Sequence, residues 1–204
     1  LPADAFIFCD FNQSFKIQPE MFEVWARIMK RVPHAVLWLL QGHPNFEPNL
    51  RKEWANAGLA QERLIVSPRV PIEEHLARVG LADLFIDTYP CGSGATANDV
   101  LWSGLPLLAL AGSTMVSRMA GSLLGAVGLP ELVASSYQDY ENKAVHYAGH
   151  VEELMALRRR LATNKLAHPL FDTPRFVRNL ENGFKTMAQR AWAGLGPAHI
   201  TVAE

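Results

Sequence analysis

The feature that most constrains this chain is an alternation of short apolar runs with amphipathic stretches. A run such as Ala35 to Leu40 (AVLWLL) has no polar face, so both of its sides must be covered. That is the condition of a strand in a parallel sheet, and amphipathic segments between such runs supply the covering helices. The strands predicted in this way are Phe6 to Cys9, Ala35 to Leu40, Arg63 to Val66, Leu84 to Asp87 and Leu107 to Leu110. Between the first two, Pro19 is suited to open a helix that runs to Arg31, with Phe22, Trp25, Ile28 and Met29 on one face. A second helix ends near Gly58 as its C-cap, a third runs from Ile72 to a stop at Gly80, and a fourth from Thr96 to Trp102. Five strands with four intervening helices make an α/β fold, a Rossmann-like doubly wound parallel sheet. From Ser117 onward the pattern predicts helices only: SRMAGSLLGAVGL, then QDYENKAVHYAGHVEELMALRRRLATNK as one unit, then Pro174 to Trp192. The expected organisation is a ligand-binding lobe over 1–135, C-terminal helices packing on or beyond it over 136–204, and GLGPAHITVAE as a frayed tail.

Composition narrows the function. With 204 residues, 49% hydrophobic and 19% charged, the chain can bury a core, which excludes a disordered segment or a disulfide-stapled miniprotein. Nineteen basic against twenty acidic side chains give a formal net charge of −1, so there is no bulk attraction to nucleic acid or anionic membrane. Any anion must be held locally. No apolar run approaches the roughly 18 residues of a membrane span, and the opening LPADAFIFCDF has neither the basic nor the apolar part of a signal peptide, so a soluble, cytoplasmic chain is expected. Cys9 and Cys91 lack metal-ligand spacing and read as two buried free thiols. His146 and His150 are i,i+4 but stand in a charged segment, a surface face rather than a metal site. No Gly-x-Ser-x-Gly elbow is present, which disfavours a serine hydrolase.

In open parallel sheets ligands sit beyond the carboxyl ends of the strands, which directs attention to the loops after strands one, three and four. After the first comes Asn12-Gln13-Ser14-Phe15-Lys16, with an amide and an ammonium three residues apart, just ahead of a helix start. A compact cation and a helix dipole acting together suit a diphosphate. After the fourth comes Cys91-Gly92-Ser93-Gly94-Ala95-Thr96-Ala97-Asn98-Asp99. Its small residues let backbone amides approach a phosphate, Thr96 adds a hydroxyl at a helix mouth, and the carboxylate of Asp99 can accept a ribose hydroxyl. Neither the Walker pattern nor GxGxxG after the first strand is present, so a P-loop nucleotide or a nicotinamide cofactor is disfavoured. His75, in PIEEHLAR, enters a helix at the same sheet edge, where its imidazole can lie against a base or ribose.

The blocks FCDFNQSFKIQP, MFEVWARIMKRVPHAVLWLL, RLIVSPRVPIEEHL and ADLFIDTYPCGSGATANDVLWSGLPLL closely resemble, in order and spacing, the carboxyl-terminal half of the catalytic region of O-linked N-acetylglucosamine transferases, glycosyltransferase family 41, in a bacterial form. The resemblance runs from about Phe6 to Trp192. It implies the donor-binding lobe of a two-lobed GT-B enzyme that moves N-acetylglucosamine from UDP-N-acetylglucosamine to Ser or Thr hydroxyls of proteins, with inversion and without a metal or other cofactor. It also implies partners: an amino-terminal lobe and tetratricopeptide repeats on the same polypeptide, and a protein or peptide acceptor.

Carried over by motif position, Gln13 and Lys16 contact the diphosphate, with Lys16 the catalytic cation that neutralises departing UDP. Phe15 and Cys91 border the N-acetyl group, Val70 and its neighbours offer backbone groups to uracil, and His75 packs on the nucleoside. Gly94, Ala95 and Thr96 form the phosphate-binding run, and Asp99 holds the ribose. The sequence departs from the animal pattern in two places: Gly94-Ala95-Thr96 stands for a histidine and two threonines, and Ile72 for a lysine. More of the binding therefore falls to backbone amides. The residues leave two other readings open, a sugar-nucleotide-binding module without catalysis, and a GT-B enzyme with a small-molecule acceptor or UDP-N-acetylglucosamine epimerase activity.

Overall fold

The computed structural model describes residues 1–202; the last two residues of the expected tail lie outside them. Six parallel strands form the sheet: β1 (Phe6–Asp10), β2 (Ala35–Leu40), β3 (Leu64–Ser67), β4 (Leu84–Ile86), β5 (Leu107–Leu110) and β6 (Val133–Ala134). Their spatial order is β3-β2-β1-β4-β5-β6, so the chain reverses its direction of travel between β1 and β4. Every residue of β1, β2, β4 and β5 is buried, which is what continuous apolar runs require.

Helices α1 (Pro19–Arg31), α2 (Phe46–Asn56), α3 (Ile72–Val79), α4 (Ala95–Trp102) and α5 (Met119–Ala126) connect the strands. Pro19 opens α1, whose buried face comprises Met21, Val24, Trp25, Ala26, Ile28 and Met29. After α2, Gly58 takes a φ of +75°, the left-handed geometry that glycine adopts without a Cβ penalty, and the chain turns into β3. Gly80 follows α3 with a φ of −62°, so its role as a stop does not come from left-handed backbone.

The second half departs from the helices-only expectation in two ways. A 3-10 turn, Pro130–Leu132, leads into β6, where Ala109 and Leu110 pair with Val133 and Ala134. At two residues, β6 is too short to carry a periodicity. The long unit read as one helix is two, α6 (Tyr137–Gly149) and α7 (Val151–Asn164), because His150 leaves the helical region at φ −127° and ψ 63°. The side chain of Ser136 caps α6 by accepting from the Asp139 amide at 3.1 Å. Helix α8 (Thr173–Trp192) closes the chain, capped by Asp172, and Phe176, Leu180, Phe184 and Met187 along it are exposed.

Helix α6 packs on α1 and β5. Its Glu141 is buried and receives Arg27 and Arg31 of α1 at 2.8 and 2.9 Å. Burial works against that carboxylate, but the two guanidiniums outweigh it and hold its pKa below the usual range. Tyr140, fully buried, donates its hydroxyl to the backbone carbonyl of Asp87 at 2.9 Å, just beyond the end of β4. Helix α7 is tied to the lobe by Arg158, which donates to the carbonyls of Gly80 and Ala82. Deleting one buried hydrogen-bonding group while its partner stays costs about 1 to 3 kcal/mol. Tyr140→Phe is therefore expected to lower unfolding free energy by about 1 to 2 kcal/mol, read as a shift of the urea midpoint at unchanged slope.

Candidate functional site

The reversal between β1 and β4 sets two loops side by side. Each strand ends in an aspartate, Asp10 on β1 and Asp87 just after β4, and both are 1% exposed. Between them sits Asn12, whose Nδ2 lies 2.8 Å from Asp10 Oδ1 and 3.0 Å from Asp87 Oδ1. Ser93 closes the other side. Its hydroxyl donates to Asp87 Oδ1 at 2.6 Å, and its backbone amide donates to both oxygens of the same carboxylate at 3.0 Å. Gly92 is packed so closely that a Cβ there would lie 3.0 Å from Asp87 Oδ2. The glycine-rich run is thus folded by its anchor on Asp87 as much as by its small residues.

Two carboxyls this close and this buried do not ionise alike. Burial first, then the neighbouring Asp87, pushes the pKa of Asp10 well above the ordinary carboxylate value. Asp87 is also raised by burial, but hydrogen bonds from Ser93, Asn12 and Thr88 oppose the rise. Asp10 is therefore the member pushed further toward its neutral form. Its Oδ2 has no hydrogen-bond partner, an accommodation that suits a neutral carboxyl better than a charged one.

Outside this buried knot lies a cavity of about 340 Å³, lined by residues that include Gln13, Lys16, Val70, His75, Thr96 and Asp99. The three loops expected to form a site do converge. Lys16 ends a 3-10 turn, Ser14–Lys16, and its ammonium donates to the carbonyl of Gly92 at 2.9 Å and to Asn12 Oδ1 at 3.4 Å. His75 rests edge-on against Phe11, ring centroids 5.3 Å apart, and its Nδ1 accepts from Arg78 Nε at 3.2 Å. That bond assigns the remaining proton to Nε2. Burial, with the Arg78 charge second, holds the imidazole pKa below its ordinary value, so the ring is neutral at pH 7.

Four expected residues do not line this cavity. Phe15 is 72% exposed and lines no described cavity, because the 3-10 turn that directs Lys16 inward leaves its neighbour outside. Gly94 and Ala95 border a separate cavity with Met115, Arg118 and Met119 on the other side of the α4 start. Cys91 is half-buried, not buried as expected, whereas Cys9 is buried in β1. A larger, mostly apolar cavity of about 650 Å³ opens behind the 3-10 turn, against α1 and α2, and holds none of the expected residues. His146 and His150 are stacked at 4.1 Å on the surface, where His146 pairs with Glu153.

The structure adds residues that motif reading passed over. Arg69, which donates to Gln13 Oε1 at 2.9 Å, and Arg78 join Lys16 as cations on the cavity wall. Gly42, after β2, is required by close approach: a Cβ there would lie 2.3 Å from Ser14 Oγ, in the turn that carries Lys16. Among the described residues no group of three or more His, Cys, Asp and Glu side chains is arranged to hold a metal ion, and no helix is long and apolar enough to cross a membrane. With three cations, a helix N-terminus, a neutral imidazole and one carboxylate, the cavity is suited to an anion that carries a ring and hydroxyls.

The protonation of Asp10 has a testable sign. Its folded pKa is raised, so its stabilising share is complete below the unfolded value of about 3.8 and is lost as pH rises through the folded value. Asp10→Asn is neutral at every pH. The stability of this variant relative to wild type is expected to increase as pH rises above about 3.8, measured by urea midpoints; a difference that does not change with pH contradicts the assignment.

Comparison with known proteins agrees with this geometry. The profile described as glycosyl transferase family 41 matches residues 1–180. The chain is 40% identical over 205 residues to the protein named probable UDP-N-acetylglucosamine–peptide N-acetylglucosaminyltransferase SEC of Arabidopsis thaliana, covering 100% of this chain and 21% of that one. It is 35% identical over 201 residues to the Caenorhabditis elegans UDP-N-acetylglucosamine–peptide N-acetylglucosaminyltransferase, covering 98% of this chain and 18% of the relative. A solved mutant of the Thermobaculum terrenum O-GlcNAc transferase superposes with a TM-score of 0.85 at 30% identity, over 92% of this chain and 37% of that one. The chain thus spans about a fifth of the length of the curated relatives it matches.

Proposed function

The chain belongs to glycosyl transferase family 41, and we propose that it forms the donor-binding half of an inverting enzyme that transfers N-acetylglucosamine from UDP-N-acetylglucosamine to Ser or Thr hydroxyls of proteins. The observation that carries this reading is the cavity beyond the β1–β4 reversal, where Lys16, Thr96, His75 and Asp99 meet. Lys16 and the amino end of α4 take the diphosphate, the neutral ring of His75 and the backbone near Val70 take the nucleoside, and the Asp99 carboxylate accepts a ribose hydroxyl. Arg69 and Arg78 add positive potential to the same wall.

The chemistry follows from where charge develops. As the bond from the anomeric carbon to the β-phosphate oxygen breaks, the sugar becomes oxocarbenium-like and negative charge collects on the departing UDP. An ammonium already held in place meets that charge with little reorganisation, so it stabilises the transition state more than the ground state. In this reading Lys16 and the α4 dipole do what a divalent cation does elsewhere. The acceptor hydroxyl attacks the opposite face of the sugar, guided by an amino-terminal lobe and tetratricopeptide repeats of the full-length protein, which works in the cytoplasm. The words peptide N-acetylglucosaminyltransferase in the names of both relatives support a protein acceptor.

Removing one positioned charge-stabilising group typically lowers turnover by about 10² to 10³. Lys16→Ala in the full-length protein is expected to lose sugar transfer to a peptide panel by roughly that factor while keeping the wild-type circular dichroism spectrum. Transfer within a few-fold of wild type would overturn the assignment. Saturable UDP binding without any transfer would favour a binding module instead.

A further inference from the structure

Among the groups around the cavity, the best-constrained side chain is one that lines it only in part. Asn12 is 3% exposed, and its amide nitrogen has four acceptors within reach: Asp10 Oδ1 at 2.8 Å, Ser93 Oγ at 2.8 Å, Asp87 Oδ1 at 3.0 Å and Thr88 Oγ1 at 3.1 Å. An amide nitrogen carries two hydrogens, so acceptors outnumber donors. The orientation is thereby decided. Rotating the amide by half a turn would set its oxygen against the Asp87 carboxylate and its NH₂ against the ammonium of Lys16. The oxygen must therefore face outward, where it accepts from Lys16 Nζ at 3.4 Å, the single Ser93 hydroxyl proton being taken by Asp87.

Lys16 gains a defined position in return. An ammonium on four methylenes has three donors and many rotamers. Here the carbonyl of Gly92 takes one N–H at 2.9 Å and Asn12 takes a second, which leaves one for a ligand in the cavity. Both acceptors belong to the same buried unit, because Gly92 is packed on Asp87 and Ser93 is bonded to it. We propose that Asn12 is a positioning residue for Lys16: its amide, locked by Asp10, Asp87 and Ser93, holds the lysine ammonium at the donor cavity. This rests on the transferase reading for its effect on turnover, but the restraint on the lysine side chain does not depend on the substrate.

The test pairs kinetics with a substrate-free measurement. In the full-length protein, Asn12→Ala is expected to lower kcat by about 10- to 100-fold, with KM for the sugar nucleotide within a few-fold of wild type, as misplacement of a reacting group by about 1 Å does. Because Asn12 acts through Lys16, the double variant with Lys16→Ala should be no slower than Lys16→Ala alone. A purely structural role predicts losses that multiply and that follow the melting temperature, and that result would overturn the proposal. Asn12→Ser, which keeps a buried hydroxyl but falls short of Lys16, serves if the alanine variant does not fold. Carbon relaxation at Lys16 Cε, recorded without ligand, should show an ordered side chain in wild type and a mobile one in either variant; equal order would overturn the proposal. If wild type neither transfers sugar nor binds UDP, the transferase reading fails, and the relaxation result alone decides the role of Asn12.

Discussion

Everything on the ligand side of this molecule depends on one buried polar contact, the Asn12 amide set between the carboxyls of Asp10 and Asp87. Placing two acids in a dry interior is costly unless each lone pair is answered or the charge is given up. Both solutions are used. Asp87 collects donors from Ser93, Thr88 and Asn12, while Asp10 is left with one oxygen unanswered and is pushed by burial toward its neutral form. The contact joins the ends of two strands that are far apart in sequence, and so sets the distance between the loops that must share a ligand.

The near-neutral chain gains its anion chemistry by concentration rather than by excess. Lys16, Arg69 and Arg78 converge on one cavity, whereas Arg27 and Arg31 of α1 share the Glu141 carboxylate away from it. Field lines from three cations in a partly enclosed wall reach a ligand with less screening than the same charges spread over a surface. A net charge of −1 says nothing against such a site.

Much of the fold was legible because β1, β2, β4 and β5 are buried on both faces and had to be written as unbroken apolar runs. The two-residue β6 had no room for a pattern, whereas the break at His150 did carry a local signal, Gly149 immediately before it, which reading the segment as one unit passed over. The cavity was legible to a similar degree. Lys16, His75, Thr96 and Asp99 could be read from loop position, since a parallel sheet fixes which loops meet. Phe15 could not be oriented, because a residue's direction in a 3-10 turn depends on contacts such as Gly42 against Ser14 that no local pattern records. A clue to the knot itself was present and unread: Phe8-Cys9-Asp10 and Phe85-Ile86-Asp87 each end an apolar run in an acid.

The bond from Tyr140 to the carbonyl of Asp87 ties the carboxyl-terminal part of the chain to the loop after β4. The donor of that bond lies on α6, next to Trp25 of α1, whose indole donates to the same phenol at 3.4 Å. Such a tie is reciprocal in free energy: whatever steadies the loop after β4 must steady α6 by the same amount, and whatever frays α6 is felt at the loop. The stability of α6 is thereby coupled to events in a cavity that the helix does not line.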